Sequence, residues 1–155
     1  MIVIAPASGT VVPLESVPDE VFATKMMGDG VALLPPTETD IPVLAPISGV
    51  LHALKPHAFI VKSDAGFGVL VHMGVNTVGT PESFTITEDL TQGTRVLQGD
   101  PVVTWDAEDT EKRGLPTHVI VVLIDLGEDA TFDLLQPVEG VVAADAPLLE
   151  VNLGN

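Results

Sequence analysis

The sequence predicts an all-β fold, a β-sandwich or barrel with an internal duplicated motif and only short helices. Of its 155 residues, 46% are hydrophobic but only 4% are aromatic, and 14 glycines and 13 prolines divide the chain into short segments. Short strands joined by tight turns suit this composition better than long helices do. At this length one domain, spanning residues 1–155, can bury a substantial core.

A repeated segment indicates the duplication. Residues 5–14 read APASGTVVPL and residues 45–54 read APISGVLHAL, so that Ala, Pro, Ser, Gly and Leu recur at the same spacing. A weaker echo, PVEGVV, covers residues 137–142. We interpret each copy as a Pro-Gly turn that leads into a strand, the alternative being convergent turn chemistry.

The other elements follow from local signals. Pro18 begins a short helical turn with Ser16 or Asp19 as its cap, and the turn Gly28-Asp29-Gly30 precedes a strand. The remaining predicted elements are a strand over 31–34, a polar loop over 37–40, an irregular segment over 79–83, a strand-turn-strand unit over 95–106, a short helix over 106–113 capped by Asp106, a buried strand over 118–123 and the last strands within 137–151.

The central stretch, residues 57–72, predicts a β-hairpin, because two apolar runs flank the turn formers Ser-Asp-Ala-Gly at 63–66. A turn centred between residues 64 and 65 pairs residues whose numbers sum to 129, and His57 then lies opposite His72. Cross-strand partners share a face, with Cβ atoms about 5 Å apart. We therefore expect the two imidazoles to lie side by side, with Phe59, Val61, Gly68 and Leu70 on the same face.

A histidine pair in apolar surroundings favours phosphoryl acceptance. Two imidazolium ions about 4 Å apart repel by about 4 kcal/mol at an effective dielectric constant of about 20, so one ring stays neutral and keeps a nucleophilic nitrogen. A bound phosphoryl group then favours the protonated form of the neighbouring ring. The bland alternative is that these are surface or satisfied core histidines, which is our interpretation of His52 and His118.

Charge and composition exclude several classes of protein. The net charge is −16, from 22 acidic and 6 basic residues, which argues against nucleic acid or an anionic membrane surface as the main partner. It favours a basic protein partner, the alternative being that the acidic residues only keep an apolar chain soluble. The absence of cysteine excludes disulfides and thiolate metal sites. The longest apolar run, residues 119–124, is too short to span a bilayer. We expect a cytoplasmic protein with no direct membrane insertion.

Several segments in one order resemble the IIA component of the glucose family in the bacterial phosphoenolpyruvate-dependent sugar phosphotransferase system. They are the two repeat copies and VPDEVFATKMMGDGVA, HAFIV, LVHMGVNTV and VLQGDPVVTWD. The resemblance implies that His72 receives a phosphoryl group from the histidine phosphocarrier protein and passes it to a cysteine of the sugar-specific IIB domain of a membrane permease. It implies that His57 hydrogen-bonds the phosphoryl oxygens, that no cofactor is needed, and that metabolic proteins can be regulated by the phosphorylation state.

The surroundings of the pair complete the predicted site. We expect Lys55 and Gly74 to support the phosphoryl group, the alternative for Lys55 being a solvated lysine at a strand end. We expect the docking surface for partners to be formed by Phe59, Phe67, Met73 and Val78. Strand period places Lys55 on the face of His57, opposite Gly74. Lys55 stands where the family often has Thr, and Asn76 and Gly68 stand where it commonly has acidic residues, so acidic contacts to the carrier are in doubt.

Three alternatives use other features. A regulatory binding module could use the same fold without phosphorylation. The segment ATKMM around Lys25 resembles the AMKM of biotinyl carrier domains, but only 24 residues precede this lysine and the histidine pair is then unexplained. A zinc peptidase needs about three protein ligands, and the face of the histidine pair offers no carboxylate. A weak zinc site at His57 and His72, completed by a partner, is the remaining form of that alternative.

Overall fold

The structure is a computed structural model that describes residues 1–154, and it consists mainly of short strands, as predicted. The helices are α1 (Glu20–Ala23) and α2 (Ala107–Lys112), with 3-10 turns at Leu14–Ser16, Thr77–Gly79 and Pro81–Ser83. The strands are β1 (Ile2–Ile4), β2 (Gly9–Pro13), β3 (Gly30–Leu34), β4 (Ile41–Leu44), β5 (Gly49–Lys55), β6 (Ala58–Lys62), β7 (Gly68–Met73), β8 (Phe84–Ile86), β9 (Arg95–Val96), β10 (Pro101–Trp105), β11 (Val119–Ile124), β12 (Thr131–Leu134), β13 (Val141–Val142) and β14 (Pro147–Asn152).

Three antiparallel sheets form a sandwich. The large sheet has eight strands in the order β13-β2-β3-β11-β7-β6-β5-β9, and two small sheets have the orders β1-β14-β12 and β4-β10-β8. The inner face of the large sheet packs on both small sheets in one core that includes Val3, Phe59, Trp105 and Leu149. Its outer face buries a second cluster, which includes Phe22, Leu70 and Ile120, beneath the segment that connects β2 to β3.

The predicted duplication is confirmed by matched hydrogen bonds in the two halves. The Ser8 hydroxyl accepts the amide of Ala144 at 2.9 Å, and the Ser48 hydroxyl accepts the amide of Gln98 at 2.8 Å. The two Pro-Gly turns also lie against each other, since Ile4 N donates to Pro46 O and Leu44 N donates to Pro6 O. The echo at 137–142 is therefore no third copy: β13 pairs with β2 as β9 pairs with β5.

Both helices begin at predicted caps. The Asp19 carboxylate accepts the amide of Val21 at 2.9 Å at the start of α1, and the Asp106 carboxylate accepts the amide of Asp109 at 2.9 Å at the start of α2. Ser16 is not the cap of α1, because its hydroxyl donates to the carbonyl of Pro13. Within residues 1–154 neither helix has the length and apolar character that a membrane crossing requires.

The register of the central hairpin differs from the predicted one by one residue. Ala58 pairs with His72 and Lys62 with Gly68, so paired numbers sum to 130 instead of 129. The cause is a five-residue turn over 63–67, in which both the amide and the hydroxyl of Ser63 donate to the carbonyl of Phe67 at 2.8 Å. The turn is thus centred on Ala65, and His57 lies outside β6.

Candidate functional site

His72 lies on the outer face of the large sheet, in the strand next to its centre. Its Nδ1 is 2.8 Å from the carbonyl oxygen of Gly74. A carbonyl can only accept a hydrogen bond, so Nδ1 carries the proton and donates it. The lone pair of the neutral ring is therefore on Nε2, which makes Nε2 the nucleophilic atom.

His57 approaches from a tight turn instead of a strand. Pro56 and His57 form the two-residue turn between β5 and β6, since Lys55 pairs with Ala58. The carbonyl of His57 accepts the amide of Met73 at 2.8 Å. The two imidazole centroids are 5.1 Å apart with the rings at 81°. The predicted proximity is thus present, although the pairing from which it was argued was wrong by one residue.

Phe22 forms the third side of this site, and the sequence did not reveal it. Its ring centroid is 5.0 Å from that of His72, at an angle of 59°. Phe22 is buried in α1, which the connection between β2 and β3 lays across the outer face of the sheet. The motif VPDEVF marks a capped helix, but no local pattern indicates which part of the sheet that helix covers.

Burial and neighbouring charges disfavour the protonated form of both His57 and His72. Burial lowers the pKa of His72, as does the nearby His57, while the hydrogen bond to Gly74 and the charge of Asp19 act in the opposite direction. Burial is also the main cause that lowers the pKa of His57, and the ammonium of Lys55 adds to it. Each ring therefore stays unprotonated at a pH where a free histidine begins to take up a proton.

Lys55 and Gly74 lie beside the pair in different ways. Gly74 contacts His72 through its carbonyl and has a φ of +75°. Lys55 is exposed at the end of β5 and pairs with Ala58, which in turn pairs with His72. The expectation that Lys55 lies opposite Gly74 was wrong, because Lys55 pairs with Ala58 of β6, and Gly74 follows the end of β7. The support of a phosphoryl group by either residue stays a prediction.

The predicted docking surface is corrected by the burial of three of its four residues. Phe59, Phe67 and Met73 are at most 1% exposed and belong to the inner core. The one-residue error in register explains the wrong assignment of Phe59, because it exchanges the two faces of β6. For the same reason Val61, which was expected on the face of the histidines, lies in the inner core. The outer-face neighbours of His72 are Ala58, Ile60 and Leu70. Val78, in contrast, is 70% exposed.

Other exposed apolar side chains lie in the segment that holds Phe22. Val21, Met26 and Met27 are 41%, 74% and 45% exposed. They extend an apolar surface from α1, and this surface was not predicted. An unusual concentration of exposed large apolar side chains commonly marks a binding surface.

The remaining histidines lie outside the pair. His52 is exposed on β5. His118 is partly buried, and its Nδ1 has no hydrogen-bond partner among residues 1–154, while its carbonyl accepts the amide of Gly74 at 2.7 Å. No group of three or more His, Cys, Asp or Glu residues within 1–154 is placed to hold a metal ion. A zinc site at His57 and His72 would need a further ligand from a partner.

Comparisons with known proteins agree on one family. Residues 1–129 match the model of the phosphoenolpyruvate-dependent sugar phosphotransferase system EIIA 1 family. The chain is 37% identical over 149 residues to the glucose-specific EIICBA component of the phosphotransferase system from Streptococcus pneumoniae. That match covers 95% of this chain but 20% of the relative, so the chain spans about a fifth of the relative's length.

Solved structures show the same fold. The glucose permease IIA from Mycoplasma capricolum superposes with a TM-score of 0.81 at 31% identity, covering 96% of this chain and 94% of that one. The M23 metalloprotease pseudoalterin superposes with a TM-score of 0.54 at 12% identity, covering 97% of this chain and 99% of that one. The second similarity is one of fold alone.

Proposed function

The chain belongs to the phosphoenolpyruvate-dependent sugar phosphotransferase system EIIA 1 family, and on this premise we propose that it is a phosphoryl carrier. It accepts a phosphoryl group on Nε2 of His72 from the histidine phosphocarrier protein. It passes the group to a cysteine of a sugar-specific IIB domain of a membrane permease. The observation that supports this most directly is the pair of imidazoles with centroids 5.1 Å apart, one of them fixed by the carbonyl of Gly74.

The acceptor step needs positioning more than covalent machinery. The lone pair of His72 Nε2 attacks phosphorus in line with the donor nitrogen, so that the new P–N bond forms as the donor's P–N bond breaks. The bonding electrons return to the donor ring. The proton on Nδ1 stays in its hydrogen bond to Gly74, which holds the ring in one orientation and leaves Nε2 available.

His57 supplies the second function, which is to hold the group. Before transfer, burial and Lys55 lower the pKa of His57 and keep it neutral. A phosphoryl group on His72 brings nearly two negative charges beside it, which favours the protonated ring. The protonated His57 then donates a charge-assisted hydrogen bond to a phosphoryl oxygen. The same pair thus accepts the group as two neutral rings and retains it with one charged ring.

The partner surface is proposed from the exposed residues instead of the buried ones. Val21, Met26, Met27 and Val78 supply apolar area that can exclude water around the transfer. The same segment contains Glu15, Asp19 and Glu20, and the whole chain has a net charge of −16. A basic partner with an apolar centre is the complement of this surface.

Labelling with the upstream phosphorelay proteins and radioactive phosphoenolpyruvate tests the proposal. We expect the wild-type chain to be labelled, His72→Gln to take no label, and His57→Gln to take label without passing it on. His52→Gln is the matched control, because that histidine is exposed outside the pair. Label that persists in His72→Gln contradicts the assignment. A folded wild-type chain that takes no label indicates a regulatory binding module instead.

A further inference from the structure

The basic side chains of this protein divide into two groups. Five of the six have a carboxylate within 4.0 Å, and within residues 1–154 only Lys55 has none. The pairs are Lys25 with Glu15 and Asp29, Lys62 with Asp125, Arg95 with Asp64, Lys112 with Glu108, and Arg113 with Glu82 and Asp109. Although the chain has 22 acidic residues, the one lysine with no acidic partner in the described part of the chain lies beside the two histidines.

A β-bulge sets the direction of Lys55. Leu51 pairs with Val61, but Ala53 pairs with Ile60, so His52 is an extra residue in β5. Beyond the bulge the faces exchange: Leu54 packs on the inner core and Lys55 points to the outer face with Ala58. Without the extra residue, Lys55 would share the buried face of Leu51. Bulges commonly redirect a side chain in this way near functional sites.

The register places Lys55 in one row with the nucleophile. Lys55 pairs with Ala58, and Ala58 pairs with His72. Paired residues share a face, and neighbouring strands are about 4.8 Å apart, so the backbones of Lys55 and His72 are about 10 Å apart. Ala58 between them is buried and small. The four-carbon stem of Lys55 can therefore lie over a methyl group and bring its ammonium toward Nε2 of His72.

We propose that Lys55 is a third phosphoryl-binding residue, whose ammonium moves over Ala58 to bind the oxygens of the phosphoryl group on His72. The inference rests on the proposed function and adds a group to its site. In the unphosphorylated chain the lysine charge acts on His57 and helps to keep it neutral. After transfer the same charge attracts the phosphoryl oxygens, which stabilises the phosphorylated form relative to the donor.

The test compares three variants. Lys55→Gln removes the charge, and Lys55→Arg retains it. Lys62→Gln is the matched control, because it removes the charge of a partly exposed lysine on the next strand. We expect Lys55→Gln to shift the phosphoryl equilibrium toward the donor by up to about fivefold, the upper end of what exposed ion pairs contribute. Its phosphohistidine should hydrolyse faster, and the effect should shrink as salt is raised. Lys55→Arg should restore the equilibrium, and Lys62→Gln should leave it unchanged.

A second measurement needs no partner protein. NMR titration of the unphosphorylated chain should show a higher pKa of His57 in Lys55→Gln than in the wild type, and no change in Lys62→Gln. If the wild-type chain is labelled, and Lys55→Gln shows the same phosphoryl equilibrium and the same rate of phosphohistidine hydrolysis, the inference is overturned while the proposed function stands. An unchanged His57 pKa in that variant has the same consequence. A wild-type chain that takes no label on His72 contradicts the proposed function and, with it, this inference.

Discussion

Replacing Gly74 by alanine tests how the nucleophile is held. The carbonyl of Gly74 accepts the Nδ1 proton of His72, and the residue has a φ of +75°. A Cβ added there would lie 2.5 Å from the Cγ2 of Thr77 and 3.1 Å from the carbonyl oxygen of Pro116. The added methyl group is therefore strained by the backbone and also meets two neighbours.

The expected loss of stability in Gly74→Ala is the sum of the backbone strain and the steric contacts of the added methyl group. A non-glycine residue in the left-handed region costs about 1–2 kcal/mol, and inserting a methyl group into a packed site costs about 1–3 kcal/mol. We expect Gly74→Ala to lower the free energy of unfolding by about 3 kcal/mol. Gly114→Ala is the matched control, because Gly114 has a φ of +78° and nothing within 4 Å of the added Cβ. That variant should lose only about 1–2 kcal/mol.

Urea denaturation of both variants measures the difference, and ¹⁵N NMR of His72 reports the site. In the wild type the neutral ring should show the proton on Nδ1. In Gly74→Ala the carbonyl must move, so we expect a mixture of the two neutral tautomers and slower phosphoryl acceptance. A Gly74→Ala variant that is no less stable than Gly114→Ala, with His72 still protonated on Nδ1, would refute the reasoning.

Two further predictions concern the walls and the charge of the site. Phe22→Ala should lower the free energy of unfolding, measured by urea denaturation, by about 3–5 kcal/mol. It should also raise the pKa of His72 in an NMR titration, because burial is the main cause of the low pKa. Phe22→Leu should have smaller effects on both quantities, and an unchanged His72 pKa in Phe22→Ala would contradict the packing argument. Stability should also fall as the pH drops below 6.5, because the unfolded histidines bind protons there while the folded His57 and His72, whose pKa values lie below that usual value, do not. This loss of stability should level off below the folded pKa values. A His57→Gln/His72→Gln variant whose urea midpoint falls with decreasing pH as steeply as that of the wild type would contradict the explanation.

The fold class followed from features that act locally. Proline and glycine at fixed places in the two repeat copies determine turns, and Asp19 and Asp106 cap helices by contacts within three residues. The strands β1, β4, β8 and β12, of three or four residues each, were not predicted. Such short strands are stabilised mainly by partners that are distant in the chain.

The sequence predicted the site in outline, but the predicted register of its hairpin was wrong by one residue. The spacing of His57 and His72 indicated a shared site, but the turn between them depends on how the hydroxyl of Ser63 bonds to Phe67, which composition does not reveal. One residue of error exchanged the faces of β6, and buried aromatic rings were assigned to the docking surface. Phe22 was missed for another reason, since its contact with His72 depends on how one connection folds over a sheet.

The two halves of the duplicated fold differ in one pair of equivalent connections. Between β5 and β6 it is the two-residue turn that contains His57, whereas between β2 and β3 it includes α1 and Phe22. One connection thus carries His57, and the other carries the aromatic ring that packs on His72. A substitution that loosens the connection between β2 and β3 should therefore affect His72, although that connection contains no histidine.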